Sequence, residues 1–252
     1  MMRQLDLSEE ARNLTAFRDN FSHRERFTLA PEEPLALFPA PVFCSKELLI
    51  ESYEPGQLMS QYLAEAGSKD SSRERDIASR LLRAILKMVF IDNFIHADLH
   101  PGNIIYRKAG SKVELTFIDA GIVASLSRED RRNFLDLFRA VIQNDGHRVG
   151  ELLIERSRHG TCADPAGFAA GVEALVADVH ESGLSLGRIS VAALLSSMLR
   201  LCYVHRVRLE SRFASVIIAM GVAEGLARRL DPDIDILELA GPYVLEAAVA
   251  DD

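Results

Sequence analysis

The chain has 252 residues, 48% of them hydrophobic, and a formal net charge of −8. That is ample core material for one soluble globular region of roughly one to two domains, and the acidic balance leaves no electrostatic footprint for nucleic acid or an anionic membrane. Cys44, Cys162 and Cys202 are odd in number and widely spaced, which fits reduced, mostly buried thiols in a reducing compartment and not a disulfide frame or a zinc site.

In chain order, residues 6–21 read as a helix. Leu7, Ala11, Leu14, Phe17 and Phe21 share one face, and Asp6 with Glu9 makes a capping-box-like start. Residues 31–41 carry Pro31, Pro34, Pro39 and Pro41 and read as an extended connector. Glu47 to Ser52 reads as a buried strand, Glu54-Pro55-Gly56 as a turn, and a short helix follows near 57–66. Asp76 to Asp92 is amphipathic through Ile77, Leu81, Ile85 and Met88. Ile104-Ile105-Tyr106 and Val113 to Ile118 read as paired strands about a turn at Arg107 to Lys112. After residue 126 the pattern is wholly helical, with starts near Ser127, Asp145, Asp164-Pro165, Ser190, Ser211 and Asp233. Phe213 to Leu226 comes nearest to a membrane span, but its length and Glu224 favour a core helix, so no transmembrane span is expected. The N-terminus is acidic and unlike a presequence.

The chemistry concentrates between residues 96 and 121. His-Ala-Asp-Leu-His-Pro-Gly-Asn at 96–103 is followed by Asp119-Ala120-Gly121. An Asp and an Asn on one loop, then an Asp before Gly, is the layout of phosphoryl-transfer sites around Mg-ATP. In-line transfer needs a carboxylate at the incoming nucleophile, which Asp98 fits. It also needs hard oxygen ligands on the phosphate-bridging metal, which Asn103 and Asp119 fit. Pro101-Gly102 forces the turn that puts Asp98 and Asn103 on one loop, and Asp119 emerges at a strand end. His96-x-Asp98-x-His100 with Asp119 also reads as a hydrolytic metal cluster, but that leaves Asn103 and the Pro-Gly turn unexplained. His96 reads as a structural histidine bracing the loop. His100 is either a brace or a site residue.

The chain resembles the aarF/UbiB atypical kinase family. The resemblance is carried by Leu5 to Leu14, by Phe94 to Asn103, and by Ile118 to Ala124. Glu210 to Ser215, Glu224-Gly225-Leu226 and Leu230-Asp231-Pro232 add to it. The catalytic motif alone is shared with aminoglycoside and choline phosphotransferases; the first segment and the tail narrow it, toward an animal branch of the family. The resemblance implies an α+β, mostly α fold: a kinase-like large lobe with a helical C-terminal extension and the small lobe largely missing. The implied division is 1–53, a small-lobe remnant; 54–126, the catalytic core; and 127–252, all helical.

It further implies ATP and Mg²⁺ as cofactors. Glu10 becomes the helix carboxylate that pairs with a phosphate-binding lysine. Asp6 matches part of a family signature near the nucleotide, where Gln4 departs from the usual Glu. Ile50 becomes a gatekeeper, Glu51 to Tyr53 the hinge toward adenine, and Gly102 and Gly121 support the loops. Implied partners are a nucleotide, a lipid or phenolic small molecule and coenzyme Q biosynthesis proteins, at a mitochondrial location.

Ala97 stands where a kinase has the Arg that reads a phosphorylated loop, and Ala120 where the aromatic plug sits. No Gly- or Ala-rich phosphate loop and no strand lysine precede the Glu10 helix, so an incomplete form is expected. The function expected is therefore an atypical kinase or ATPase. The alternatives are a small-molecule phosphotransferase and a non-catalytic pseudokinase assembly module.

Overall fold

The computed structural model describes residues 6–22, 34–65, 71–110, 112–157, 162–183, 191–208 and 211–250. The expectations placed on Gln4, Leu5, Pro31, Ser190 and Glu210 fall outside them.

Helix α1 (Leu7–Ser22) buries Ala11, Leu14 and Phe17, the face that the spacing predicts. Its start differs from a capping box. Asp6 Oδ1 accepts from the Ser8 backbone N–H at 3.1 Å, and Glu9 N–H bonds to the Asp6 carbonyl. Phe17 stacks on Phe38 at 4.7 Å and tilts onto Phe94 at 4.6 Å, which fixes α1 on the core. The Pro-rich connector contributes to that core. Leu35, Ala36 and Phe38 are buried, and Leu37 exchanges backbone hydrogen bonds with Leu115 and Phe117.

Strand β1 (Pro41–Cys44), unforeseen in the sequence, pairs antiparallel with β2 (Leu49–Glu51). The expected buried strand over Glu47 to Ser52 is corrected by this ribbon. It has α1 against one face, so Leu48 and Ile50 stay 50% and 48% exposed on the other. A two-stranded ribbon cannot bury both faces without a second layer. Gly56, at φ +152°, turns the chain where a Cβ would lie 2.5 Å from Ile105 Cγ2 and 2.6 Å from the Tyr106 carbonyl oxygen. Strand β3 (Gln57–Leu58) and α2 (Met59–Ala64) follow.

Helix α3 (Ser71–Leu86) begins before the expected Asp76 and ends in a π-helical segment, Lys87–Asp92. A π turn stacks residues five apart. Here that brings the Lys87 ammonium within 2.7 Å of both Asp92 carboxylate oxygens, with Lys87 also donating to the Asn20 carbonyl of α1. Asn93 closes the segment at φ 49°.

Strand β4 (Ile95–His96) leads to a 3₁₀ turn, Pro101–Asn103. Strands β5 (Ile104–Ala109) and β6 (Lys112–Phe117) pair from Ile104↔Phe117 to Ala109↔Lys112. The hairpin turn is thus tighter than Arg107 to Lys112, because the exposed charges there belong to strand ends. β3 adds to β5, and β4 pairs with β7 (Val123–Ala124).

The remainder is helical: α4 (Arg128–Ile142), α5 (Gly146–Glu155), α6 (Pro165–Gly183), α7 (Val191–His205), α8 (Ser211–Leu230) and α9 (Ile236–Ala250). The side chains of Ser127, Asp145 and Asp164 accept the expected N-terminal amide bonds at α4, α5 and α6. At α9 the cap is Asp235, bonding Leu237 N–H, and not Asp233. The main apolar cluster joins α1, α3, β5, β6, α8 and α9, and a second joins α5, α6 and α7. α8 packs on α3 with Glu224 fully buried and paired to Arg228 Nε at 2.8 Å. The architecture is α+β and mostly α. Among the described residues no helix is long and apolar enough to cross a membrane.

Candidate functional site

The loop after β4 is built from its own backbone groups. His100 N–H bonds to the Asp98 carbonyl at 3.0 Å, and Asn103 N–H to the His100 carbonyl at 2.9 Å. Asn103 Nδ2 donates to the Asp98 carbonyl at 3.0 Å, which leaves Oδ1 as the acceptor end of a buried amide. His100 Nδ1 accepts from Gly102 N–H at 3.0 Å, and the ring lies so close that a Cβ on Gly102 would meet its Cε1 at 2.8 Å. His100, exposed at its outer edge, acts here as a brace.

His96 joins this loop to the Asp119 turn. It is fully buried. Its Nδ1 accepts from Asp98 N–H at 3.3 Å, and its Nε2 lies 3.1 Å from the Ile118 carbonyl. An accepting Nδ1 leaves the proton on Nε2, so the ring is neutral. Burial lowers its pKa, offset in part by the Ile118 bond and the Asp119 and Asp98 charges. Ile118 N–H in turn bonds the Asn103 carbonyl at 3.0 Å. With both ring nitrogens engaged, His96 cannot be a metal ligand, and the His96–Asp98–His100 cluster does not form. Among the described residues no three or more His, Cys, Asp or Glu are grouped to hold a metal ion.

Asp119 projects from the end of β6 with φ 60°, a left-handed backbone that Asp tolerates better than most residues. Helix α1 approaches it from the other side. Asn13 Nδ2 donates to the Ala120 carbonyl at 2.8 Å. A Cβ placed on Gly121 would lie 3.4 Å from Asp119 Oδ1 and 3.8 Å from Glu10 Oε2, so these groups share one small space. Burial raises the Glu10 pKa, and Asp119 and Glu51 raise it further. Glu51, at the exposed end of β2, is raised by burial and then by Asp119 and Glu54. Glu10, Glu51 and Asp119 thus feel one another's charge, without being grouped closely enough to hold a metal ion between the three. Mg²⁺ at phosphates needs one or two protein carboxylates, since phosphate and water oxygens complete its shell.

Two expected nucleotide contacts stand apart from this group. Asp6 uses its carboxylate to cap α1, and the Ser8 hydroxyl holds its pKa below the usual range. Tyr53 is 87% exposed beyond the end of β2. In the hinge, Ser52 N–H is taken by the Ala40 carbonyl.

Two asparagines escaped sequence reasoning as site residues. Asn13 lies three residues after Glu10 on the same helical face, a spacing that could have flagged it. Asn93 brackets Leu126, its Nδ2 donating to the Leu126 carbonyl at 2.8 Å and its Oδ1 accepting from Leu126 N–H at 2.9 Å. Together with Ala97 N–H to Ile122 carbonyl at 3.0 Å, this ties the short segment after Asp119 to the Asp98 loop. No local sequence signal announces that pair.

The ABC1 atypical kinase-like domain model matches residues 1–153. The chain belongs to this family. A UbiB helical domain model matches residues 174–235, from within α6 to just before α9. A mitochondrial ABC1 family protein of Saccharomyces cerevisiae is 32% identical over 289 residues, covering 96% of this chain and 43% of that protein. A mitochondrial ABC1 family protein of Schizosaccharomyces pombe is 30% identical, covering 97% and 40%. A probable protein kinase UbiB of Aeromonas hydrophila is 28% identical, covering 96% and 42%. The chain spans about two fifths of the length of these ABC1 and UbiB relatives. A solved structure of a Mycobacterium tuberculosis protein with erythromycin aligns at a TM-score of 0.47 and 16% identity, covering 92% of this chain and 59% of that one.

Proposed function

We propose that the Asp98 loop and the Asp119 turn form the metal- and phosphate-facing half of an ABC1-type atypical kinase or ATPase that uses Mg-ATP. The supporting observation is the His96 bridge: one buried neutral ring holds the peptide groups next to both Asp98 and Asp119. A fixed relation between base and metal carboxylate is what in-line transfer requires.

In this reading Asn103 Oδ1 and Asp119 hold the metal, which when bound neutralises charge on the phosphates. Asp98 accepts the proton of the attacking hydroxyl or water as its oxygen bonds to the γ-phosphorus; the γ–β bridging bond breaks and ADP leaves. Glu10 and Glu51 set the charge around the metal side, with Glu10 also placed to pair with a phosphate-binding lysine. In this reading Asp6 belongs to the surroundings of the nucleotide, the backbone of Glu51 to Tyr53 is the hinge offered to adenine, and His96, His100, Gly102 and Gly121 support the loops. Residues 1–53, 54–126 and 127–252 serve as small-lobe remnant, catalytic core and helical part.

Peptides are poor acceptors in this reading. Ala97 offers no cation to a phosphorylated loop, and Gly121 to Leu126 is too short and too well tied to form a docking platform. A lipid or phenolic acceptor, partnership with coenzyme Q biosynthesis proteins and a mitochondrial location follow from the family resemblance and from the names of the fungal relatives.

The test is thermal stabilisation of residues 1–252 by ATP, with and without Mg²⁺. These residues contain no Gly- or Ala-rich phosphate loop, so binding is expected to be weak. ATP near its Kd stabilises by about 0.4 kcal/mol, against about 2.7 at a hundredfold excess. Stabilisation that ignored Mg²⁺, or that survived Asp119→Asn, would sink the assignment.

A further inference from the structure

We propose that Asn13 is a positioning residue for the metal-binding turn, clamping the Ala120 peptide unit so that Asp119 keeps its left-handed backbone. The inference rests on the reading of Asp119 as a metal ligand.

Asp119 at φ 60° is strained for a residue with a Cβ, and such geometry persists only where its neighbours over-determine it. Both neighbouring peptide units are held. On the N-terminal side, Ile118 gives its N–H to the Asn103 carbonyl, and its carbonyl accepts from His96 Nε2. On the C-terminal side, Ala120 is fully buried and its carbonyl accepts from Asn13. A side chain of α1 therefore satisfies the carbonyl of the buried residue next to Asp119. Without Asn13 the Ala120 carbonyl loses its side-chain donor, and the C-terminal hold on Asp119 is weakened.

The donor is itself fixed. Arg18 Nη1 bonds the Phe38 carbonyl at 2.7 Å and Lys87 Nζ bonds the Asn20 carbonyl at 2.9 Å, so the far half of α1 is anchored independently of the site. Any displacement of α1 is then transmitted to the Asp119 turn through Asn13.

The experiment compares wild type, Asn13→Ala, Asn13→Asp and, as a control on the same helix, Arg12→Ala, whose side chain is 68% exposed. Asn13→Asp keeps the shape but turns a donor into an acceptor facing a carbonyl. The first readout is amide hydrogen exchange in the free protein. Asn13→Ala should speed exchange about tenfold at Ala120 and Gly121, Asn13→Asp more, and Arg12→Ala not at all, with α3 unchanged in all three. The second is the Mg²⁺ midpoint for ATP-dependent stabilisation. It should rise several-fold in both Asn13 variants, while stabilisation at saturating Mg²⁺ stays near wild type.

Wild-type exchange at Ala120 in Asn13→Ala, or acceleration spread equally over α3, would overturn the proposal. If wild type showed no Mg-dependent response to ATP, the functional reading would fall, and exchange alone would decide whether Asn13 holds the turn.

Discussion

His96 Nε2 lies 3.1 Å from the Ile118 carbonyl while its Nδ1 accepts from Asp98 N–H, so one neutral imidazole spans the two segments that carry Asp98 and Asp119. Protonation would put a donor against the Asp98 N–H. Burial lowers the folded pKa of His96 below its unfolded value, so the unfolded chain takes up the proton first. Its stabilising contribution is therefore complete above about pH 6.5 and falls as pH drops from there toward the folded value. Urea midpoints should decline over that window, and His96→Ala should remove this part of the slope. The substitution leaves two buried backbone groups unpaired and a cavity, at a cost of about 3 kcal/mol. A pH profile identical in wild type and variant would show that His96 is not the titrating group.

Asp98 and Asp119 should separate in kinetics. Asp119→Asn keeps a residue that tolerates left-handed backbone but removes a charge felt by Glu10 and Glu51. The free protein should gain up to about 1 kcal/mol, a modest figure because Glu51 is solvent-exposed and screened, and lose Mg-dependent nucleotide binding. Asp98→Asn should retain binding and lose turnover, measured where ATP hydrolysis is detectable. Hydrolysis within a few-fold of wild type in both variants would refute the division of roles.

Lys87 and Asp92 form a buried pair, their side chains only 10% and 8% exposed, and Lys87 lies 4.6 Å from the Phe21 ring centroid. Removing the cation alone takes the Lys87 ion pair from a buried carboxylate. Lys87→Met should cost about 1–3 kcal/mol, and Lys87→Met with Asp92→Leu should recover part of it. Chemical denaturation of the single and double variants checks this. A double variant no better than the single would mean that Lys87 acts mainly through the Asn20 carbonyl.

Helix α5 touches α6 through glycine. A Cβ on Gly150 would come within 2.7 Å of Ala169 Cα, which is backbone and cannot swing aside. Gly150→Ala should cost about 1–3 kcal/mol of overpacking despite the helix propensity gain of about 1 kcal/mol. Gly225→Ala on α8, with nothing within 4 Å of its added Cβ, should gain about that amount. The two melting temperatures should move in opposite directions.

Local and periodic features were legible in the sequence. The buried faces of α1 and α3, the caps at Ser127, Asp145 and Asp164, and the loop from Asp98 to Asn103 each depend on residues a few positions apart. Their geometry follows from spacing and side-chain chemistry alone. What only the tertiary structure decided depends on neighbours far along the chain. Leu48-Leu49-Ile50 is as apolar as a core strand, yet Leu48 and Ile50 stay half exposed because α1 covers only one face of the ribbon. Pro41 opens a strand because Glu51 happens to lie opposite it. The π turn at Lys87 is fixed partly by the Asn20 carbonyl of another helix. The site divides in the same way. The side chains proposed as ligands stand in the motif, whereas the contacts that tie their segments together, His96 to Ile118, Asn13 to Ala120 and Asn93 to Leu126, join residues separated by 22, 107 and 33 positions. A hydrogen bond of that kind leaves no periodicity behind, since only the folded chain brings donor and acceptor together.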